Sequence, residues 1–200
     1  MKLIFATNNH NKVREMQIAI GDAFQLVSLK DAGIDIDIPE PHDTLEENAK
    51  EKSTVIHRLT GLDCFSEDTG LEVDALGGEP GVKSARYAHG DSAFPDNISK
   101  LLHRLQEKPD RKARFRTVIS LILEGEERQF EGICEGRIHN EPSGSGGFGY
   151  DPVFSPENAT KTFAEMDPQE KNLYSHRRKA ADSLVSFLRQ YAVNIRKFPK

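Results

Sequence analysis

The chain has 200 residues, 36% hydrophobic and 30% charged, enough for one domain whose core needs no metal or disulfide staple. Its 32 acidic against 27 basic residues give a net charge of -5, which argues against a non-specific nucleic-acid binder. No apolar run approaches the roughly 18–20 residues of a membrane span, and the start MKLIFATNNH turns polar too early for a signal peptide, so a cytoplasmic protein is expected.

KLIFAT (2–7) reads as a short strand, followed by a helix in which Val13, Met16, Gln17 and Ile20 follow helical spacing and Gly21 is the C-cap. FQLVSL (24–29) is a second strand, and GIDIDIP alternates Ile34, Ile36 and Ile38 with aspartates as a half-exposed extended segment. Thr44 and Glu47 form a capping box for a helix carrying Leu45, Ala49, Lys52, Val55, Ile56 and Leu59, closed by Gly61. DCFSEDTG reads as a strand running into a turn and LEVDAL as a separate strand, with a long loop GGEPGVKSARYAHGD after it.

Asp96 caps a helix over 96–108 with Ile98, Leu101, Leu102 and Leu105 on one face. Residues 113–124 and 128–138 form a long hairpin around Gly125. Asp167-Pro168 opens a short helix, and Ser175 caps the last one, where Leu184, Phe187, Leu188 and Tyr191 pack inward. The order of elements predicts an α/β fold with an elongated mixed β-sheet and flanking helices. Cys64 and Cys134 fall in strands without CxxC spacing and are expected as buried, reduced thiols. The basic run Lys108, Arg111, Lys112, Arg114 and Arg116 is expected as a solvated face.

Two motif matches mislead. GSGGFG (144–149) fits G-x-G-x-x-G, but Pro142 precedes it and Pro152 and Pro156 follow, so no helix grows from it to carry a pyrophosphate. Asp68-Thr69-Gly70 is the tripeptide of aspartic proteases, yet the chain holds one copy, so only a dimer of the retroviral style would supply the two aspartates that share a proton.

Three features remain. Thr7-Asn8-Asn9-x-x-Lys12 lies between a strand and a helix, where unpaired backbone N–H groups and a lysine suit an anion, although an ordinary polar cap fits equally well. Glu67-Asp68 ends a strand and, with Glu40 from the IPEPHD loop, offers hard oxygen ligands for Mg²⁺; a plain acidic turn is the alternative. Lys171, Ser175, His176 and Arg177 crowd a helix junction and, with Phe148 and Tyr150, offer donors and a ring for a flat, oxygen-bearing base, against a solvated helix end.

ATNNHNK, EDTGLEVDALGGEPGVKSARYA, GGFGYDPVF, FAEM and EKNLYSHR occur in this order across residues 2–190, and with them the chain resembles the inosine triphosphate pyrophosphatase family. The resemblance implies a single domain over 1–200, with two lobes and a central cleft, in a homodimer. It implies Mg²⁺-dependent hydrolysis of ITP, dITP and XTP to the monophosphate and pyrophosphate. A broader nucleotide pyrophosphatase and a non-catalytic nucleotide-binding module are the competing readings, and membranes and nucleic acids are not expected partners.

By position, the resemblance implies that Thr7, Asn8, Asn9, His10, Asn11 and Lys12 hold the triphosphate. Asp68 would activate water, with Lys52 facing the phosphates and with Glu40, Asp68 and Glu67 holding Mg²⁺. Thr69, Phe148, Gly149, Tyr150, Asp151, Lys171, Ser175, His176 and Arg177 would contact the nucleotide, with Phe148 stacked on the base and Asp151 accepting its ring N–H. Asn8 stands where the family often has glycine, and the family varies between Asp and Glu at the position of Glu67.

Overall fold

The first two strands are parallel because a helix separates them. The structure, a computed structural model, describes residues 1–197. Strand β1 (Lys2–Phe5) leads into α1 (His10–Ile20), and β2 (Gln25–Ser28) returns beside β1 in register Lys2 to Gln25. Gly21 ends α1 at φ 53, a conformation that favours glycine. The segment 34–38 follows without ladder partners; Ile34, Ile36 and Ile38 still pack inward while Asp35 and Asp37 face solvent. The alternation is as expected.

Helix α2 (Leu45–Thr60) starts at the expected capping box: the Thr44 hydroxyl accepts from the Glu47 N–H and donates to its carboxylate. Asn48 and Ser53 join its buried face, whereas Leu59 is 59% exposed. The next strand departs from expectation. Strand β3 (Cys64–Val73) runs unbroken through Glu67, Asp68 and Gly70. Gly70 is not a turn: a Cβ there would lie 2.7 Å from the carbonyl oxygen of Gly81 in β4 (Pro80–Gly81), so glycine permits a close strand approach.

Helix α3 (Asn97–Arg104) is capped by Asp96 as expected and stops four residues short of 108. Strands β5 (Lys112–Leu123) and β6 (Glu126–Ile138) form the long hairpin, turning at Glu124 and Gly125, both at positive φ. Strand β7 (Phe154–Pro156), α4 (Pro168–Tyr174) and α5 (His176–Lys197) complete the order. The Ser175 hydroxyl accepts from the Arg178 N–H at 3.4 Å, the expected cap of α5.

The strands make one mixed sheet in the order β2-β1-β3-β5-β6-β7, with β4 paired to β3. On one face, Leu3, Phe5, Phe65, Ile119 and Leu121 pack against Met16 of α1 and Leu184 of α5. On the other, Ile4, Cys64 and Ile122 meet Ile56 of α2. A second large apolar cluster, with Leu71, Leu101, Phe115, Phe154 and Phe163, forms where the sheet continues past α1. Arg114 pairs with Glu72, and Arg116 with Glu46 and Glu131, so the C-terminal end of the basic run is spent on ion pairs rather than left as a solvated face. Both cysteines are free and buried. Among the described residues no helix is long and apolar enough to cross a membrane.

Candidate active site

A gap in the sheet fixes the site. Strand β1 pairs with β3 at Cys64 and Phe65, and β4 pairs with it at Leu71 and Glu72. Between them the edge of β3 from Ser66 to Gly70 carries no ladder partner on that side, and a cavity of about 250 Å³ opens there. Asp68 and Thr69 line it, together with Asn9, Lys12, Glu40, Phe148, His176 and Arg177.

The loop entering α1 is divided between two spaces. Asn9 and Lys12, one helical turn apart, face this cavity, while Thr7, Asn8 and His10 face a neighbouring groove with Ser28 and Lys30. Asn11 is exposed and lines neither space. The Asn9 carboxamide oxygen caps the helix, accepting from the N–H groups of Asn11 and Lys12 at 3.0 and 3.2 Å. Those two donors, expected to be open to an anion, are therefore already paired. The Asn8 amide donates to the Ile36 carbonyl at 2.8 Å and ties down the segment that carries Glu40.

Lys52 joins the two carboxylates that the sequence placed 28 residues apart. Its Nζ donates to Asp68 Oδ1 at 2.9 Å and to Glu40 Oε1 at 2.6 Å, and Arg86 Nη1 sits 3.1 Å from Glu40 Oε2. Burial pushes the Asp68 carboxyl above its ordinary value against the opposing pull of Lys52 and Lys12. Burial acts upward on Glu40 too, but the Lys52 charge and hydrogen bond outweigh it and hold Glu40 low. For Lys52 burial disfavours the charge, and Asp68 and Glu40 more than compensate, leaving the ammonium raised. Lys12 is lowered, by burial first and by the nearby Lys52 and Arg177 charges, with Glu67 opposing.

Glu67 and Asp68 are neighbours in a strand and face opposite sides of the sheet. Glu67 is 1% exposed and accepts three hydrogen bonds from Arg177, at 2.8 to 3.0 Å, with Lys12 Nζ 3.4 Å away. Its carboxylate thus anchors Arg177 and is committed away from a metal ligand's position beside Asp68. Burial works upward on Glu67, and the Arg177 and Lys12 charges overcome it, holding the carboxyl below its usual range. Among the described residues no three His, Cys, Asp or Glu side chains form a metal-binding group. Glu40 and Asp68 alone fit an ion that takes one or two carboxylates and fills its shell with water and substrate oxygens.

The glycine-rich loop makes the opposite wall. Gly147 has φ 70, and a Cβ there would run into the Asp151 carboxylate. That carboxylate accepts the Phe148 N–H at 2.8 Å and Lys171 Nζ at 2.6 Å, so its Oδ2 is occupied by the loop's own groups. Lys171 also binds Glu15 at 2.6 Å, and its ammonium lies 5.1 Å from the Phe148 ring centre. Lys171 and Asp151 therefore shape the loop, and both also line the cavity. The Tyr150 hydroxyl is turned away, donating to the Ser84 carbonyl at 3.0 Å. Thr69 Oγ1 lies 2.6 Å from Thr117 Oγ1, and Ser175 is buried at the α5 cap outside the cavity lining.

His176 is 3% exposed, stacked on Phe115 at 4.7 Å, with its Nδ1 buried and without a hydrogen-bond partner. Burial, reinforced by Arg177 and Lys171, holds its pKa well below the usual value, so the ring is neutral. Arg177 also pairs with Glu15 through Nη1, and these contacts leave two of its five N–H donors.

Glu15 and Arg86 were not anticipated. Glu15 stands one helical turn after Lys12, and that i, i+3 spacing was the available signal. Around the cavity Lys12, Lys52, Arg86, Lys171 and Arg177 are interleaved with Glu15, Glu40, Glu67, Asp68 and Asp151.

Comparison with known proteins agrees with the five motifs. The family model described as Ham1 family matches residues 3–187. The chain is 50% identical to the dITP/XTP pyrophosphatase of Porphyromonas gingivalis over 188 residues, which cover 94% of this chain and 97% of that one. It is 48% identical to the protein of that name from Flavobacterium johnsoniae, covering 94% and 98%. A HAM1 protein from Coxiella burnetii superposes with a TM-score of 0.85 at 36% identity, covering 95% and 99%. The Staphylococcus aureus Ham1 protein gives 0.84 at 36%, covering 96% and 100%. The chain belongs to the Ham1 family.

Proposed function

We propose that this chain hydrolyses non-standard purine nucleoside triphosphates of the ITP, dITP and XTP type to the monophosphate and pyrophosphate; its relatives are named dITP/XTP pyrophosphatases. The observation that carries this reading is one cavity with a carboxylate-lysine cluster, Asp68, Lys52 and Glu40, at one end and a neutral imidazole beside an aromatic ring at the other.

In this reading the triphosphate lies along Asn9, Lys12 and Lys52. Asp68 accepts a proton from the water that attacks the α-phosphorus, and the bond from that phosphorus to the bridging oxygen breaks with departure of pyrophosphate. Lys52, hydrogen-bonded to Asp68, favours its ionised state against the burial that raises it and supplies positive charge beside the phosphoryl oxygens. Glu40 and Asp68 would hold Mg²⁺, which neutralises charge developing on the phosphoryl and leaving oxygens. Phe148 stacks on the base. Neutral His176 and the remaining N–H groups of Arg177 donate to a 6-oxo group, and the 6-amino group of adenine would leave them unpaired. A pocket of this kind discriminates by about 10⁴ or more.

A single sheet with two large apolar clusters supports one domain of two lobes, and the homodimer implied by the family resemblance and the cytoplasmic location expected from the sequence belong to the same proposal. The test is a substrate panel of ITP, dITP, XTP, ATP, GTP, dUTP and dTTP, with Mg²⁺ or with EDTA. Pyrophosphate release from the first three, lost in EDTA, is expected; equal kcat/KM for ITP and ATP sinks the reading.

A further inference from the structure

Ser84 opens a single 3₁₀ turn (Ser84–Arg86) in what the sequence showed only as a long loop, and it is 8% exposed. Four hydrogen bonds from four different segments meet on it. Its hydroxyl accepts the Leu71 N–H of β3 at 2.8 Å and donates to the Gly81 carbonyl of β4 at 2.6 Å. Its carbonyl accepts the Tyr150 hydroxyl at 3.0 Å and the Asn97 carboxamide of α3 at 3.1 Å. Ser84, Leu71, Asn97 and Tyr150 all line the cavity.

Each bond has a structural reason. Strand β4 is two residues long, so beyond Gly81 the ladder has no backbone left to receive the Leu71 N–H, and a side-chain hydroxyl takes that place. A hydroxyl can accept and donate at once, which the aliphatic side chains cannot. The carbonyl then fixes Tyr150, two residues after Phe148, at a set distance from β3. Asn97 fastens the same turn to α3 by also binding the Ala85 carbonyl and the Ala88 N–H.

We propose that Ser84 is the positioning residue of the base pocket, joining the glycine-rich wall that carries Phe148 to the strand that carries Asp68. The inference rests on the functional reading above and adds to it a residue that touches neither the phosphates nor the base ring. Ser84→Ala leaves a buried N–H and a carbonyl unpaired and lets the two walls part, while Asp68, Lys52 and Glu40 keep all their contacts.

The expected result for Ser84→Ala is a KM for ITP raised about tenfold and an ITP-over-ATP preference lowered about tenfold, the scale of one lost buried hydrogen bond. At saturation kcat should stay within about threefold, because the chemical groups are untouched. Tyr150→Phe should move KM and preference the same way by a smaller factor. In the double variant the factors should fall short of their product, since both changes open one joint. A variant that melts earlier yet keeps the wild-type KM and preference overturns the proposal. Where Ser84→Ala gives no folded protein, Tyr150→Phe decides it by the same two readouts. Wild-type protein that treats ITP and ATP alike removes the functional reading, and this inference with it, before any variant is compared.

Discussion

The two ends of the cavity are built from the same side chains and held differently. At the Lys52 end the Asp68 carboxylate receives one hydrogen bond, and Glu40 is completed by Arg86, whose side chain is 52% exposed. At the Arg177 end Glu67 receives three, the guanidinium is 2% exposed, and Lys171 is clamped between Glu15 and Asp151. A carboxylate with one partner, raised by burial, is poised to exchange a proton; one wrapped by an arginine is a strut. In the proposed reading, chemistry and scaffolding are separated along β3 by a single residue step.

The contrast is broken most severely at Asp68. Asp68→Asn should lower kcat by about 10²–10⁴, roughly 3–5 kcal/mol of barrier, with the melting temperature almost unchanged. Near-normal turnover in that variant would remove Asp68 from its role. Arg177→Met tests the other end and should act on both stability and binding: beside a raised KM for ITP from the lost donors to the 6-oxo group, the fold itself should weaken. The change strands Glu67 and Glu15 and should cost about 3–5 kcal/mol, seen as a fall in melting temperature of roughly 6–20 °C. Unaltered melting would mean that the strut is no strut.

A pH series sharpens the comparison with a smaller effect. With Asp68 as the proposed base, turnover needs it ionised, so the acid limb of kcat/KM should fall at a higher pH than an ordinary aspartate gives. His176 acts on stability with its own sign. Its folded pKa is depressed, so below the usual histidine value, about 6.5, the unfolded chain takes up a proton that the folded chain refuses. Its contribution is full above that pH and declines as pH falls. Melting curves from pH 7.5 to 5.5 on wild type and His176→Gln should converge toward acid if this is so; parallel curves contradict it.

Much of the scaffold was legible in local chemistry. Thr44-x-x-Glu47, the Asp96 cap and the Gly125 hairpin each concern groups within a few residues, so the sequence displays them complete. The break expected at Asp68-Thr69-Gly70 was a misreading, because Gly70 answers to the Gly81 carbonyl, a neighbour that local spacing cannot show. The site divides in the same way. Its residue types stood in the motifs, but their pairings join Lys171 to Glu15 across 156 positions and Arg177 to Glu67 across 110. Which residue is reactive and which is committed follows from those pairings. Ser84 was hidden for the same reason, its partners coming from four segments.

The ring of five cations and five carboxylates around the cavity has an electrical consequence. Its formal charges cancel, so the empty wall offers little attraction to a bare divalent ion, and it offers no surplus of positive charge to a bare triphosphate. An ion already riding on the triphosphate halves the charge that must be accommodated. Metal and nucleotide should therefore be taken up as one package. Calorimetric titration with Mg²⁺ alone should give almost no heat, and the same titration beside a non-hydrolysable ITP analogue should give a clear isotherm; tight binding of the lone ion would contradict this balance of charge.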